Sequence, residues 1–135
     1  MSTKATQSDR LSSLRPAEFL AGLLYYTQAP AFTDQMLIEY LELLSIKRPS
    51  ELPGFRIQHY RSEPYSHQIE QALDLLCLGY YLECFSSVKP KVYRINQARK
   101  QALYEGLLRT LEAGQLDYLC MLAYTFQLFI AERTT

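Results

Sequence analysis

The side chains best suited to chemistry in this chain are two histidines, His59 and His67, and three cysteines, Cys77, Cys84 and Cys120. Together they could hold zinc or pair a thiolate with an imidazole base. Zinc sites, however, draw on close pairs such as C-x-x-C or H-x3-H, and no such spacing occurs. The run Tyr65-Ser66-His67 puts a hydroxyl beside an imidazole, but neighbours in sequence do not form a catalytic triad. No glycine-rich phosphate loop and no carboxylate pair in an evident cleft is visible. Isolated cysteines act most often as small core residues. The sequence therefore predicts no catalytic, metal or cofactor residues, and a small enzyme has nothing in the motifs to support it.

Charge offers a different kind of chemistry. The 135 residues balance 14 Lys and Arg against 14 Asp and Glu, but unevenly along the chain. Residues 1–85 sum to −3, residues 86–109 to +5 and residues 110–135 to −2. The central cluster contains Lys89, Lys91, Arg94, Arg99 and Lys100. Such a cluster could neutralise phosphates along a nucleic-acid backbone. It could equally be a solvated, helix-stabilising surface, or pair with an acidic helix nearby. Zero net charge argues against a general nucleic-acid coat or a polybasic membrane binder.

These residues must be positioned by elements that can be read from pattern. Hydrophobic residues make up 48% and charged residues 21%, which suits one ordinary folded domain. Residues 1–13 read as a flexible polar tail and 14–135 as the domain. Pro16 opens a helix with Phe19, Leu20, Leu23 and Leu24 on one face. Thr33 caps a second helix whose apolar positions are Met36, Leu37, Tyr40, Leu41 and Leu44, with Glu39 and Glu42 facing water. KRPSELPG (47–54) is a loop, and FRIQHY (55–60) alternates as a short strand would. Ser66 caps a third helix with Ile69, Leu73 and Leu76 as its spine, flanked by Ala72 and Leu75. Gly79 occupies the place of a left-handed helix stop. YYLECF and VYRI (92–95) form a hairpin around SSVKPK. Asn96 caps a helix from Gln97 to about Ala113, Gly114 breaks it, and an apolar helix spans 116–132.

The expected fold is thus mainly α with a small β-hairpin. A helix running directly into a hairpin, after two earlier helices, is the chain order of a winged-helix domain, with Ser66–Leu78 in the recognition-helix position and the hairpin as wing. That helix exposes His67, Gln68, Glu70, Gln71 and Asp74. Carboxylates meet repulsion from phosphates and find few partners in a major groove. Its face is therefore a solvated surface or a protein-docking surface, with Tyr60, Tyr65, Glu70, Gln71 and Asp74 as the partner-binding set. Eleven tyrosines suit half-buried interfaces.

Several of these stretches, taken in order, resemble a known family. An LLYY run in the first helix is followed by a second helix, an extended segment leading to Pro64-Tyr65-Ser66, the helix pattern xxIxxALDxLxxGY, and a strand–turn–strand ending in Tyr93-x-Ile95. Residues 17–103 resemble the YwgA-like and Panacea-domain (SocA-like antitoxin) proteins, whose hallmark turn is Gly-Pro-Tyr-Ser. Here Glu63 stands in place of that glycine. The resemblance implies a winged-helix-like fold used for protein contact or regulation and transfers no active site.

The last helix is apolar nearly all round. A helix of this kind must be buried on every side. It is either a core helix or a homodimer element, with Leu119, Leu122, Phe126 and Phe129 at the interface. The N-terminal MSTKATQSDR has no apolar signal-peptide core and no run is apolar enough to span a membrane, so a cytoplasmic location is expected. The expected function is a non-enzymatic regulatory or protein-interaction module, homodimeric and without cofactor. The alternative is a DNA-binding regulator using the basic cluster.

Overall fold

The computed structural model describes residues 11–86 and 88–134. Helix α1, Pro16–Tyr26, is the centre of the fold. Pro16 starts it without wasting a donor, and the Arg15 N–H donates to Glu18 Oε1 at 3.0 Å. Every residue from Phe19 to Leu24 is buried, so α1 is enclosed on all sides, where a one-faced helix is expected from its spacing. Its end is closed by Thr27, whose hydroxyl donates to Leu23 O at 2.7 Å.

Strand β1, Phe32–Thr33, leads straight into α2, Asp34–Lys47. Thr33 Oγ1 accepts from the Met36 N–H at 3.0 Å, the expected cap. Glu39 and Glu42, expected to face water, are both engaged. Glu39 lies 3.6 Å from Arg133, and Glu42 lies 2.9 Å from His59 Nε2.

The segment expected as one short strand is half of a second hairpin. Strand β2, Gln58–Tyr60, pairs with β3, Glu63–Tyr65, in register Gln58↔Tyr65 and Tyr60↔Glu63. Arg61 and Ser62 make the two-residue turn with φ of 52° and 70°. A turn with both central residues left-handed matches the strand twist, but it lacks the Asn-Gly signature that would mark it in sequence.

Helix α3, His67–Leu78, begins at Ser66, whose Oγ accepts from the Ile69 N–H. Its end differs from expectation. Gly79 has φ −83°, and Tyr80, with φ 62°, holds the left-handed position. The Tyr80 N–H reaches Cys77 O and the Tyr81 N–H reaches Leu76 O, each at 3.0 Å, a Schellman closure one residue later than predicted. Glycine is needed at 79 for space: a Cβ there would lie 2.6 Å from the Tyr81 ring.

Strands β4, Leu82–Cys84, and β5, Val92–Ile95, form the expected hairpin. β5 also pairs with β1, giving a three-stranded antiparallel sheet of order β1-β5-β4. The fold is mainly α with this small antiparallel sheet, in agreement with the sequence.

After a 3-10 turn capped by Asn96, helix α4 covers Lys100–Leu103 and widens into a π-turn over Tyr104–Leu108, where the Arg109 N–H reaches Tyr104 O. The helix expected to reach Ala113 therefore ends earlier. Helix α5, Ala113–Thr134, starts where a break was expected and includes Gly114. Gln115 turns its side chain back to accept from the Glu112 N–H, and this offsets the helix-weakening glycine.

α5 packs on α1 and α2. Leu119, Leu122, Phe126 and Phe129, expected at a dimer interface, are buried within the chain. The physical reason is Gly22. With no side chain there, Leu119 approaches so closely that a Cβ on residue 22 would lie 2.5 Å from its Cδ1. Tyr40 extends the seam by donating its hydroxyl to Leu122 O at 2.7 Å and touching the Thr125 hydroxyl. Burial pushes the Tyr40 phenol up to about 12.

Of the tail expected over residues 1–13, residues 1–10 lie outside the described residues. Leu11 is fully buried, with its N–H donating to Glu51 O at 2.8 Å, so the domain starts at least three residues earlier than expected. Among the described residues no helix is long and apolar enough to cross a membrane.

Candidate protein-docking face

Helix α3 carries two apolar stripes. At about 100° per residue, Ile69, Ala72, Leu73 and Leu76 fall on one side, and all four are buried. Gln71, Leu75 and Leu78 recur at i, i+4 and i+7 on the other side. Leu75 is 58% exposed and Leu78 76%, and Tyr80 just beyond them is 72% exposed. Three large apolar groups exposed within a span of six residues stand out from the single exposed leucines of an ordinary surface. The sequence reading grouped Leu75 with the buried spine. The same helical spacing, drawn as a second stripe, would have separated it.

The surroundings hold this face in place. Asn96 Nδ2 donates to Tyr80 O at 2.8 Å, and the Asn96 N–H donates to Tyr81 O at 3.0 Å. The Arg99 guanidinium donates to Gly79 O at 3.2 Å and lies over the Tyr81 ring. Beside the stripe, a groove of about 620 Å³ runs between the start of α1, α3 and the π-turn. Its floor is Ala17, Ala72, Leu75, Leu76 and Leu107, and its rim includes Arg15, Gln68 and Gln71.

The residues expected to bind a partner do not form one site. Gln71 lines this groove. Tyr60 and Tyr65 line a second groove of about 460 Å³, with Asp34, Ile38, His59 and Lys89. Asp74 is exposed and lines neither. Glu70 is engaged, lying 2.6 Å from Lys89 Nζ and 3.8 Å from Lys91 Nζ.

That pairing also changes the basic cluster. Lys89 reaches Asp34 Oδ2 at 3.3 Å and sits over the Tyr65 ring. Partial burial alone would lower its pKa, but the bonds to Glu70 and Asp34 outweigh that and hold it above the usual lysine value. Arg94 lies over the Phe85 ring with its Nε 4.0 Å from Glu83. Arg99 is committed to Gly79 and Tyr81. Lys100 leans on the Tyr25 ring, and burial holds its pKa below the usual value. The linear excess of positive charge is thus spent on separate internal partners. Lys89 and Lys91 neutralise a member of the other candidate set, Glu70.

The nucleophile and metal candidates are likewise dispersed. Burial, with Cys84 and Asp74 nearby, pushes the Cys77 thiol up to about 11, which keeps it protonated and unreactive near neutral pH. Cys84 Sγ donates to Ser86 O at 3.1 Å. The Ser66 hydroxyl serves as a helix cap. Among the described residues no three His, Cys, Asp or Glu side chains are grouped to hold a metal ion. Comparison of the chain with protein-family models, with curated proteins and with solved structures yields no match.

Proposed function

We propose that this chain is a non-enzymatic protein-interaction module of winged-helix type that docks protein, a second copy of itself first among the candidates, through the C-terminal half of α3. The winged-helix reading is supported by the order helix, strand, helix, helix, hairpin, with the β2–β3 hairpin inserted between α2 and α3, by sheet order β1-β5-β4, and by the family resemblance over residues 17–103. One observation carries the functional reading. The helix in the recognition position has no Lys or Arg and ends in exposed Leu75 and Leu78, with exposed Tyr80 just beyond. Exposed apolar groups gain by leaving water against another apolar surface. They gain little against phosphates, which reward Lys and Arg. Phosphate contact through Lys89, Lys91, Arg94, Arg99 and Lys100 has less support, because reaching phosphate would cost Lys89 and Lys91 their carboxylate partners.

The test has two arms on the full chain. Mass measured by light scattering over a range of concentrations should rise for the wild type and stay monomeric for Leu75→Glu with Leu78→Glu. A fluorescent duplex at low salt should show no binding that Lys89→Ala with Lys91→Ala weakens. A wild type that stays monomeric and binds duplex through those lysines overturns the proposal.

A further inference from the structure

Glu70, in the first turn of α3, holds two lysines of the β4–β5 loop at once. One carboxylate oxygen, Oε2, lies 2.6 Å from Lys89 Nζ, and the other, Oε1, lies 3.8 Å from Lys91 Nζ. A carboxylate that offers one oxygen to each of two ammonium groups gives them what a phosphate would give. A second acid, Asp34, also reaches Lys89, at 3.3 Å. The two acids are not equivalent. The Asp34 side chain is 3% exposed, and its Oδ1 is fixed by the N–H groups of Gln35 and Lys91. The Glu70 side chain is 15% exposed, and its partners among the described residues are the two lysines. Asp34 therefore keeps Lys89 in place with or without Glu70, and Glu70 is the partner that can be exchanged.

We infer that Glu70 is an intramolecular stand-in for a backbone phosphate, and that it holds shut a duplex-binding surface on the β4–β5 loop. Closed, Lys89 and Lys91 are balanced by Glu70 and Asp34, and the cluster sums to zero. Without the Glu70 charge it sums to +1, and both ammonium groups lose a partner. The loop belongs to the hairpin that follows the recognition-position helix, so an anion that reaches the lysines there is a phosphate of a duplex lying along that helix. The carboxylate is tethered and always within reach, whereas a phosphate must arrive from solution, so the closed state prevails in the free chain. The Lys89 side chain is 53% exposed, and ion pairs of this kind are weak enough to be exchanged without unfolding.

Equilibrium binding of a fluorescent DNA duplex to the full chain tests this. Glu70→Gln keeps the shape of the side chain and removes its charge, and thermal melting should show it folded. It should bind the duplex about tenfold more tightly than the wild type at about 50 mM salt. Each phosphate gained steepens the salt dependence by about 0.9, so the advantage should shrink by about three- to tenfold between about 50 and 200 mM. Adding Lys89→Ala and Lys91→Ala to Glu70→Gln should abolish the gain. Asp117→Asn removes the same charge from an exposed position on α5 and should leave the affinity within about twofold of the wild type. A Glu70→Gln chain that binds no more tightly than the wild type overturns the inference. So does a gain that survives loss of both lysines, or one that Asp117→Asn reproduces, since either makes it an effect of net charge alone. A wild type that already binds as tightly as Glu70→Gln overturns it too. None of these outcomes by itself decides self-association through α3, which is read from mass, and a wild type that stays monomeric leaves the comparison of duplex affinities as it stands.

Discussion

Lys89 and Glu70, 19 positions apart, meet at 2.6 Å. The same ammonium reaches Asp34 Oδ2 at 3.3 Å, so one cation ties the β4–β5 loop to the start of α2 and to α3. Asp34 is the inner partner. It is 2% exposed, and its Oδ1 accepts from the backbone N–H groups of Gln35 and Lys91. Lys91 O in turn accepts from the Asp34 N–H. The loop is thus held by backbone bonds as well as by charge.

Two substitutions separate those contributions. Lys89→Met removes a half-exposed partner and should cost about 1 kcal/mol or less. Asp34→Ala leaves two N–H groups short of an acceptor and should cost about 2 kcal/mol or more. Because the Lys89 pKa is raised in the fold, its contribution is fully present below the ordinary lysine value of 10.5. It is lost as pH rises through the folded value. Urea denaturation at neutral pH and at strongly alkaline pH should therefore show the gap between wild type and Lys89→Met closing at the alkaline end. A gap that is unchanged or wider there contradicts the pairing.

The end of α3 gives a second prediction, with opposite signs at adjacent positions. Tyr80 has φ 62° without being glycine, a conformation that costs an L-residue about 1 kcal/mol. Tyr80→Gly relieves that strain, less the extra freedom gained by the unfolded chain. The net gain should be about 0.5 kcal/mol, read as a higher denaturation midpoint with unchanged slope. Gly79 has an unstrained φ, yet Gly79→Ala should destabilise by about 1 kcal/mol or more, because its methyl would press on the Tyr81 ring. If Tyr80→Gly is destabilising while Gly79→Ala still costs about 1 kcal/mol, the left-handed residue is 79 rather than 80; a neutral Gly79→Ala contradicts the close contact with the Tyr81 ring.

The contrast between these two residues marks how far the sequence could be read. The caps at Thr33, Ser66 and Asn96 were legible because a side chain and an N–H two or three residues on decide them. The glycine at 79 was legible as special but not for its reason, which lies in where the Tyr81 ring packs. β1 is two residues long and exists by pairing with β5, some 60 residues on, so no local pattern announces it. Helix α5 shows the same limit. Its all-round apolar composition could not say which side faces α1 and α2, and Leu119, Leu122, Phe126 and Phe129 went to the interior while Met121, Tyr124 and Leu128 did not. In the docking face, Gln71 was legible from exposure on the helix. Leu75 and Leu78 were hidden because leucine is ordinarily assigned to a core. The pairing of Glu70 with Lys89 is tertiary, and it removed a residue from each of two expected sites at once.

The tight contact between α1 and α5 at Gly22 yields the third prediction. Residue 22 faces Leu119 across the α1–α5 seam, and both are buried. Gly22→Ala gains about 1 kcal/mol in helix propensity. Its methyl, however, would sit 2.5 Å from Leu119 Cδ1. Forcing a core leucine from its rotamer costs about 1–3 kcal/mol, so the single change should destabilise by about 1 kcal/mol. Leu119→Ala alone opens a void and should cost about 2–5 kcal/mol. In that background the obstacle is gone and the added methyl enters empty space, so Gly22→Ala should become stabilising. A double-mutant cycle by denaturant titration should therefore give a coupling of about 2 kcal/mol. Additive effects would mean that α1 and α5 can slide apart to admit a methyl. The seam that keeps Leu119, Leu122, Phe126 and Phe129 inside the chain would then be looser than the contact at Gly22 implies.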